Sequence, residues 1–249
     1  MTNAIITFPR ITVVTVVYNG VSAIARTLES SLSQGYPNIE RVVIDGGSTD
    51  GTQAIVQGYG SRIDTFVSEP DAGVYAAMNK AVALATGEYL LFMNCGDVFA
   101  GPAAVGAAMH LSTSGAEQLI IGGWIREESG GRQQRCLPSL SAGLFNHQAL
   151  VYSRSIHRWH GNYLTVPGWT TADYLFFVTL FDSPKVASTI LTEPIARIDV
   201  SGISAGLQTF SQKQTIDYLC GRIGRWRLIA LLSLHPAYHR LKQLWRGLR

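Results

Sequence analysis

The sequence predicts an α/β fold built on a mostly parallel, doubly wound β-sheet. In the first half of the chain, short apolar runs rich in β-branched side chains alternate with segments of helical periodicity. These runs end in polar motifs that contain asparagine, aspartate and glycine. Strands joined by helices pair in parallel through right-handed crossovers, and such sheets bind ligands at the carboxyl ends of their strands. We therefore expect one catalytic unit with its site at that edge of the sheet.

The elements follow one another in a Rossmann-like β-α-β order. Apolar runs without helical period predict strands at residues 12–17, 41–45, 64–68 and 88–93. Helical periodicity between and after the first strands predicts helices at residues 21–33, 52–58 and 74–85. The second half is less regular, and there we predict strands at 118–125, 149–153 and within 186–200, a helix at 172–180 and a loop at 128–135.

Length and composition favour a single folded enzyme in a reducing compartment. The 249 residues are enough for one α/β domain with an appendage, and an apolar content of 47% excludes a disordered chain. The three cysteines lack C-x-x-C spacing, which argues against a disulfide framework or a zinc site. We find neither a secretory signal nor an apolar run near the roughly 18 residues that a membrane span requires. A cytoplasmic protein is expected.

Basic residues are concentrated near the C-terminus. Residues 213–249 contain eight lysines and arginines and one acid, whereas the rest of the chain is net negative. We accordingly predict a catalytic domain at residues 1–210 and a basic helical tail at residues 211–249. In the last stretch of the tail, one helical arc carries the apolar side chains of Tyr238, Leu241, Leu244, Trp245 and Leu248.

This amphipathic tail favours an anionic membrane surface as its partner. Its aromatic residues share a face with leucines and do not interleave with the basic residues, which favours lipid over nucleic acid. We therefore expect no nucleic acid partner and a peripheral location on the inner face of the plasma membrane. A solvated or dimer-forming helix is the alternative, and the sequence leaves the oligomeric state open.

Four polar segments carry a resemblance to a known family. They are residues 15–19, 45–52, 68–80 and 94–97. In this order and spacing they resemble family 2 glycosyltransferases of the GT-A fold, in particular the bacterial exopolysaccharide and colanic-acid type, over roughly residues 10–205. The resemblance implies a nucleotide-sugar-dependent hexosyltransferase of polysaccharide biosynthesis that inverts the anomeric configuration.

The first three segments predict contacts with a nucleotide diphosphate sugar. Asp45 ends the second predicted strand, where a carboxylate can accept hydrogen bonds from a base or ribose, although a strand-end turn is the alternative. Asp71 precedes a predicted helix as its N-cap or as a nucleotide ligand, and Lys80 pairs with a phosphate or is a solvated lysine. The predicted donor-binding residues are Val16, Tyr18, Asn19, Asp45, Asp71, Tyr75, Asn79, Lys80 and Asn94.

Residues 94–97 stand where the family carries its metal-binding Asp-x-Asp motif. A donor diphosphate requires a balancing cation, because two unit charges 4 Å apart interact by about 4 kcal/mol at an effective dielectric near 20. Mn²⁺ or Mg²⁺ needs only one or two carboxylates when phosphates and water complete the octahedron. Asp97 is therefore predicted as a metal ligand, and the resemblance adds His147. A turn residue and a structural histidine are the alternatives.

Transfer to a hydroxyl also requires a general base. The resemblance places it at Asp173, with a helix N-cap as the alternative, and implies a lipid-linked saccharide or polysaccharide acceptor and an active-site lid at residues 201–204. Two other functions compete. A nucleotidyltransferase would need a glycine-rich basic loop that residues 18–21 do not provide. The other is a non-catalytic nucleotide-sugar or lipid-binding module with an eroded metal site.

Overall fold

The computed structural model describes residues 8–113, 115–127, 131–199 and 207–233. Its strands are β1 (Ile11–Val17), β2 (Ile39–Asp45), β3 (Thr65–Ser68), β4 (Tyr89–Phe92), β5 (Val98–Phe99), β6 (Gln118–Glu127), β7 (Gln133–Cys136), β8 (Leu150–Ser153) and β9 (Ala187–Asp199). Its helices are α1 (Ile24–Leu32), α2 (Thr52–Gln57), α3 (Val74–Leu84), α4 (Ala104–Met109), α5 (Ile156–His160), α6 (Ala172–Val178) and α7 (Leu207–Leu219), and residues 225–233 are also helical.

The strands of the described residues form one sheet in the order β3-β2-β1-β4-β8-β6-β9-β5, with β7 paired to β6. The first four strands of this order are parallel to one another. β8 lies antiparallel between β4 and β6, and β6 pairs in parallel with β9. The two short strands β5 and β7 pair antiparallel. The prediction of a mostly parallel α/β sheet is confirmed.

Helices cover both faces of the sheet, so the fold is doubly wound. Val14 and Val16 of β1 belong to a core formed with α3 and α6 on one face. Val13 packs in a core with α4, and Val17 in a core with α1 and α2, on the other face. Every residue of β1 is therefore buried, which is why this strand reads as a continuous apolar run without alternation.

The structure also differs from the sequence predictions. The predicted loop at residues 128–135 is partly wrong, because β7 begins at Gln133 and pairs with β6. The short elements β5, α4 and α5 were not predicted, since each is too brief to show a period. The predicted boundary between residues 210 and 211 falls inside α7. The predicted lid at residues 201–204 and the apolar arc at residues 238–248 lie outside the described residues.

Within the described residues, no helix is both long enough and apolar enough to cross a bilayer.

Candidate functional site

The loops after β1 and β2 are joined by hydrogen bonds at one edge of the sheet. Asn19 has a left-handed backbone with φ of 49°, a conformation that asparagine tolerates. Its backbone N–H donates to Ser48 Oγ at 2.7 Å, and its Oδ1 accepts from the backbone N–H of Thr49 at 3.0 Å. Asn19 therefore fixes one loop against the other, and the side chain of Tyr18 beside it is 69% exposed.

Asp45 organises the loop that follows β2. Its carboxylate is fully buried and accepts hydrogen bonds from the backbone N–H of Ser48 at 2.9 Å and from the Ser68 hydroxyl at 2.6 Å. It also accepts from the backbone N–H of Gly47 and from the Ser48 hydroxyl. These contacts form the turn at the end of β2, and contact of Asp45 with the donor stays a prediction.

Val16, a predicted donor-binding residue, lies near the end of β1. Val16 is 6% exposed and packs in the core between the sheet and α3. Its backbone carbonyl accepts a hydrogen bond from Cys95 N–H at 3.1 Å. The family motif at residues 15–19 thus combines a buried strand end with two loop residues, and contact of Val16 with the donor stays a prediction.

Asp71 lies directly beside the loop after β2. Its Oδ1 accepts from the backbone N–H of Gly73 at 2.8 Å, so it forms a local turn before α3 without acting as the helix N-cap. A Cβ atom added at Gly46 would stand 3.0 Å from Asp71 Oδ2 and 3.4 Å from the Tyr18 ring. Glycine at position 46 therefore permits Asp71 and Tyr18 to approach the loop closely.

Three residues of α3 predicted to contact the donor have protein partners. The Tyr75 hydroxyl donates to Asp173 Oδ1 at 2.7 Å. The side-chain amide of Asn79 makes two hydrogen bonds to the backbone of Tyr163. Its Nδ2 donates to the Tyr163 carbonyl at 2.8 Å, and its Oδ1 accepts from the Tyr163 N–H at 3.0 Å. Lys80 forms an ion pair with Glu69 at 2.5 Å. Tyr75 therefore holds Asp173 and Asn79 holds the backbone of Tyr163, and contact of these residues with the donor stays a prediction.

The antiparallel strand β8 places the His147 segment next to the end of β4. Leu91 of β4 pairs with Val151 of β8, so residues that precede β8 lie beside residues that follow β4. Asn94 Nδ2 accordingly contacts His147 Nε2 at 3.1 Å. The next residue, Gln148, donates from Nε2 to Asp97 Oδ2 at 2.6 Å.

His147 also contacts the predicted base. Its Nδ1 lies 2.9 Å from Asp173 Oδ2. Both ring nitrogens are therefore occupied, one by Asp173 and one by Asn94. The role of His147 as a metal ligand stays a prediction. A chain of contacts runs from Tyr75 through Asp173 and His147 to Asn94.

The contacts with Tyr75 and His147 favour the ionised form of the Asp173 side chain. Burial raises the pKa of its carboxyl, but the adjacent His147 and hydrogen bonds from His147 and Tyr75 outweigh burial, and the pKa lies below its ordinary value. Burial and the neighbouring Asp173 charge raise the pKa of the Tyr75 hydroxyl, which stays a neutral donor. The Asp173 side chain is 16% exposed, so a substrate hydroxyl can reach it.

The turn after β4 provides oxygen ligands of the kind that Mn²⁺ or Mg²⁺ prefers. Asp97 donates its backbone N–H to the carbonyl of Asn94 at 3.0 Å, so the two residues share one turn. The side-chain oxygen of Asn94 is buried and accepts no hydrogen bond. Among the described residues, no group of three or more histidine, cysteine or acidic side chains could hold a metal ion. These residues fit a cation that the donor phosphates hold jointly with Asp97 and Asn94.

The strand order 3-2-1-4, the polar loops at the carboxyl ends of these strands and the carboxylate on a later helix together define a GT-A fold. The chain belongs to glycosyl transferase family 2, whose model matches residues 12–166. The match includes every predicted donor-binding residue, Asp97 and His147. Asp173 and α7 lie beyond it.

Known relatives share parts of the chain. An uncharacterized glycosyltransferase of Mycobacterium tuberculosis is 39% identical over 103 residues, which are 41% of this chain and 39% of the relative. The putative teichuronic acid biosynthesis glycosyltransferase TuaG of Bacillus subtilis is 37% identical over 36% of each protein. These matches span about two fifths of the relatives' length. A PGL/p-HBAD biosynthesis glycosyltransferase of Mycobacterium bovis is 26% identical over 78% of each chain.

Solved structures show the same fold over most of the chain. Staphylococcus aureus TarS in complex with UDP superposes with a TM-score of 0.68 at 17% identity, covering 90% of this chain and 69% of TarS. The mannosyltransferase PcManGT of Pyrobaculum calidifontis, in complex with GDP-Man and Mn²⁺, gives a TM-score of 0.64 at 18% identity. It covers 92% of this chain and 71% of PcManGT.

Proposed function

We propose that this protein transfers a sugar, with inversion, from a nucleotide diphosphate sugar to a hydroxyl of a lipid-linked or polysaccharide acceptor. One observation carries the proposal. Asp173, on a helix beyond the family-model match, is joined through His147 to Asn94 in the loop that ends β4. A carboxylate is thereby held next to the loop where the donor diphosphate is expected.

Asp173 is the proposed general base. The acceptor hydroxyl gives its proton to this carboxylate while its oxygen bonds to the anomeric carbon, and the bond from that carbon to the diphosphate oxygen breaks. The nucleoside diphosphate leaves with the electron pair. An ionised carboxylate offers about four acceptor positions, so Asp173 can take the incoming hydroxyl while Tyr75 and His147 still hold it.

The donor is proposed to bind at the loops after β1, β2 and β3. Tyr18 is exposed there and offers an aromatic face on which a base can stack. The carboxylate of Asp71 lies within the same group of loops, because its Oδ2 closely approaches Gly46. This placement supports contact of Tyr18 and Asp71 with the nucleotide. The bound UDP and GDP-Man of the structural neighbours are consistent with a nucleotide ligand.

Asp97 and Asn94 would hold the divalent cation together with the donor phosphates. When bound, the cation neutralises charge that develops on the departing diphosphate. Gln148 orients Asp97 through the 2.6 Å hydrogen bond to Oδ2. His147 holds Asp173 through Nδ1, and its Nε2, which contacts Asn94, is the proposed further ligand of the cation.

A membrane surface is the proposed location of the acceptor. Within the described residues, the helix at 225–233 exposes Trp226 by 71% and Ile229 by 52%. Arg225, whose guanidinium lies 4.8 Å from the Trp226 ring centre, and Arg227 are exposed on the same helix. Exposed aromatic and aliphatic side chains next to arginines are typical of segments that lie on anionic lipid.

The experiment is a panel of nucleotide sugars incubated with the protein and a lipid-linked saccharide, with and without Mn²⁺. We expect release of one nucleoside diphosphate that depends on both acceptor and Mn²⁺. Calorimetry should show that Mn²⁺ tightens nucleotide binding and that Asp97→Asn removes this gain while retaining the fold. Nucleotide binding without release, under any acceptor tested, would instead identify a non-catalytic binding module.

A further inference from the structure

The helix that carries Asp173 begins without a local cap. Thr171 is the N-cap residue of α6, but its side chain makes no capping hydrogen bond to the helix. Threonine at this position normally accepts a hydrogen bond from an N–H of the first turn. Here the Thr171 hydroxyl donates to Gln212 Oε1 of α7 at 3.0 Å. The start of α6 is thus fixed from another helix.

Gln212 binds the whole segment that leads into α6. Its Oε1 also accepts from the backbone N–H of Thr170 at 3.0 Å and from the Thr170 hydroxyl at 3.2 Å. Its Nε2 donates to the carbonyl of Gly168 at 2.9 Å. The side-chain amide of Gln212 therefore hydrogen-bonds to residues at both ends of the segment 168–171. The backbone turns sharply at Gly168, which has a left-handed φ of 78°.

Neighbouring residues of α7 strengthen the same junction. Gln208 Nε2 donates to the Gly168 carbonyl at 2.7 Å, and the hydroxyls of Thr209 and Thr170 lie 2.8 Å apart. One turn later, the ammonium of Lys213 lies 4.2 Å from the ring centre of Tyr174. The Tyr174 hydroxyl donates to Asp217 at 2.6 Å. Contacts from α7 thus flank Asp173 on both sides in sequence.

We propose that Gln212 is a positioning residue for Asp173, and that α7 sets the orientation of the first turn of α6 in place of a local cap. The proposal rests on the proposed function of Asp173 as the base. It extends the catalytic unit past the segment that the family model matches, into residues that were assigned to the tail from sequence. Because base and acceptor must be aligned closely, a small shift of this turn should slow proton transfer without weakening donor binding.

The test compares Gln212→Ala with Gln214→Ala, a change of the same residue type on the same helix. Gln214 is half-buried, and its side chain makes no hydrogen bond to any of the described residues. For Gln212→Ala we expect kcat to fall about tenfold, with the donor KM within about twofold of wild type. Amide hydrogen exchange across residues 168–175 should accelerate in this variant and stay unchanged in Gln214→Ala.

Three outcomes overturn the proposal. They are equal kcat values for the two variants, unchanged exchange at residues 168–175, and a loss of kcat accompanied by an equal loss of donor affinity. If Gln212→Ala fails to fold, Thr209→Val is the second variant, because it removes a single hydroxyl contact. For Thr209→Val we expect kcat to fall about twofold to threefold with the donor KM unchanged. Exchange is measured without substrate, so it tests the positioning role separately from the proposed function.

Discussion

At the scale of single residues, the site depends on side chains that satisfy one another. Asp173 accepts from Tyr75 and contacts His147, and His147 in turn contacts Asn94. The Nδ1 atom of His147 lies 2.9 Å from the Asp173 carboxylate and its Nε2 atom 3.1 Å from the Asn94 amide, so both ring nitrogens have polar partners. The histidine is thereby a partner of the proposed base, and the arrangement keeps the carboxylate ionised.

Asp173→Asn tests the proposed base directly. We expect kcat to fall by about 100-fold or more, because an amide cannot accept the proton of the acceptor hydroxyl, while donor affinity stays close to that of wild type. Steady-state kinetics and nucleotide titration measure the two effects. Asp182→Asn is the matched control, since Asp182 lies on the surface with its side chain 89% exposed. Full activity in Asp173→Asn would refute the assignment.

At the scale of elements, α5 joins the sheet to the helix that carries Asp173. His157 of α5 stacks on Phe176 of α6 with ring centres 4.8 Å apart. Its Nε2 contacts the Tyr152 hydroxyl of β8 at 3.0 Å, and Tyr152 contacts the Tyr163 hydroxyl at 2.8 Å. Tyr163 is held by Asn79 of α3 through its backbone. This aromatic cluster fixes α6 against α3 and β8.

His157 should make stability depend on pH. Burial, followed by the nearby His160 and Arg154, lowers its pKa from 6.5 to about 4, despite the hydrogen bond to Gly161. Between these values the unfolded chain binds a proton that the folded protein does not. The free energy of unfolding therefore decreases as pH falls from 6.5 to about 4, by at most about 3 kcal/mol from this group.

Urea unfolding at several pH values measures the free energy of unfolding of wild type and of His157→Gln. Glutamine retains hydrogen-bonding groups but does not titrate, so the variant should lose less stability than wild type over the same pH range. The difference between the two proteins isolates His157 from carboxyl groups that also titrate near pH 4. Parallel curves for the two proteins would contradict the prediction.

At the scale of the whole molecule, one edge of the sheet collects loops from distant parts of the chain. The parallel strands β1, β2, β3 and β4 bring four loops there, and the antiparallel β8 brings the residues that precede it. Gln212 of α7, near the C-terminal end of the described residues, hydrogen-bonds to Thr170 and Thr171 at the start of α6. Beyond α7, the helix at 225–233 exposes Trp226 and Ile229 next to arginines.

Deletion of residues 237–249 tests the proposed membrane surface. The deleted segment contains four of the eight basic residues that follow position 212, and each basic residue near an anionic surface contributes about 1 kcal/mol. We expect the affinity for anionic vesicles, measured by co-sedimentation, to fall by at least about tenfold on deletion. Neutral vesicles should bind neither the full chain nor the truncated protein. The described contacts of α7 are retained, so donor binding should be unchanged. Undiminished binding to anionic vesicles would remove the tail from the model of attachment.

Much of the first half of the fold was predictable because its signals are local. β1, β2 and β3 and the helices between them follow from runs of apolar residues and from helical period, and their ends lie within a few residues of the predictions. The short elements β5, α4, α5 and β7 were missed or misread. Their existence depends on pairing and packing with distant segments, which no local period records.

The sequence by itself determined the family motifs, the parallel direction of the first strands and the candidate acids Asp45, Asp97 and Asp173. Only the tertiary structure decided their surroundings. It buried Asp45 in its own loop and Val16 in the core, and it joined His147 to Asp173. The physical reason is that residue type and spacing fix which groups are available along a chain, whereas hydrogen-bond partners and burial are set by contacts between segments far apart in sequence.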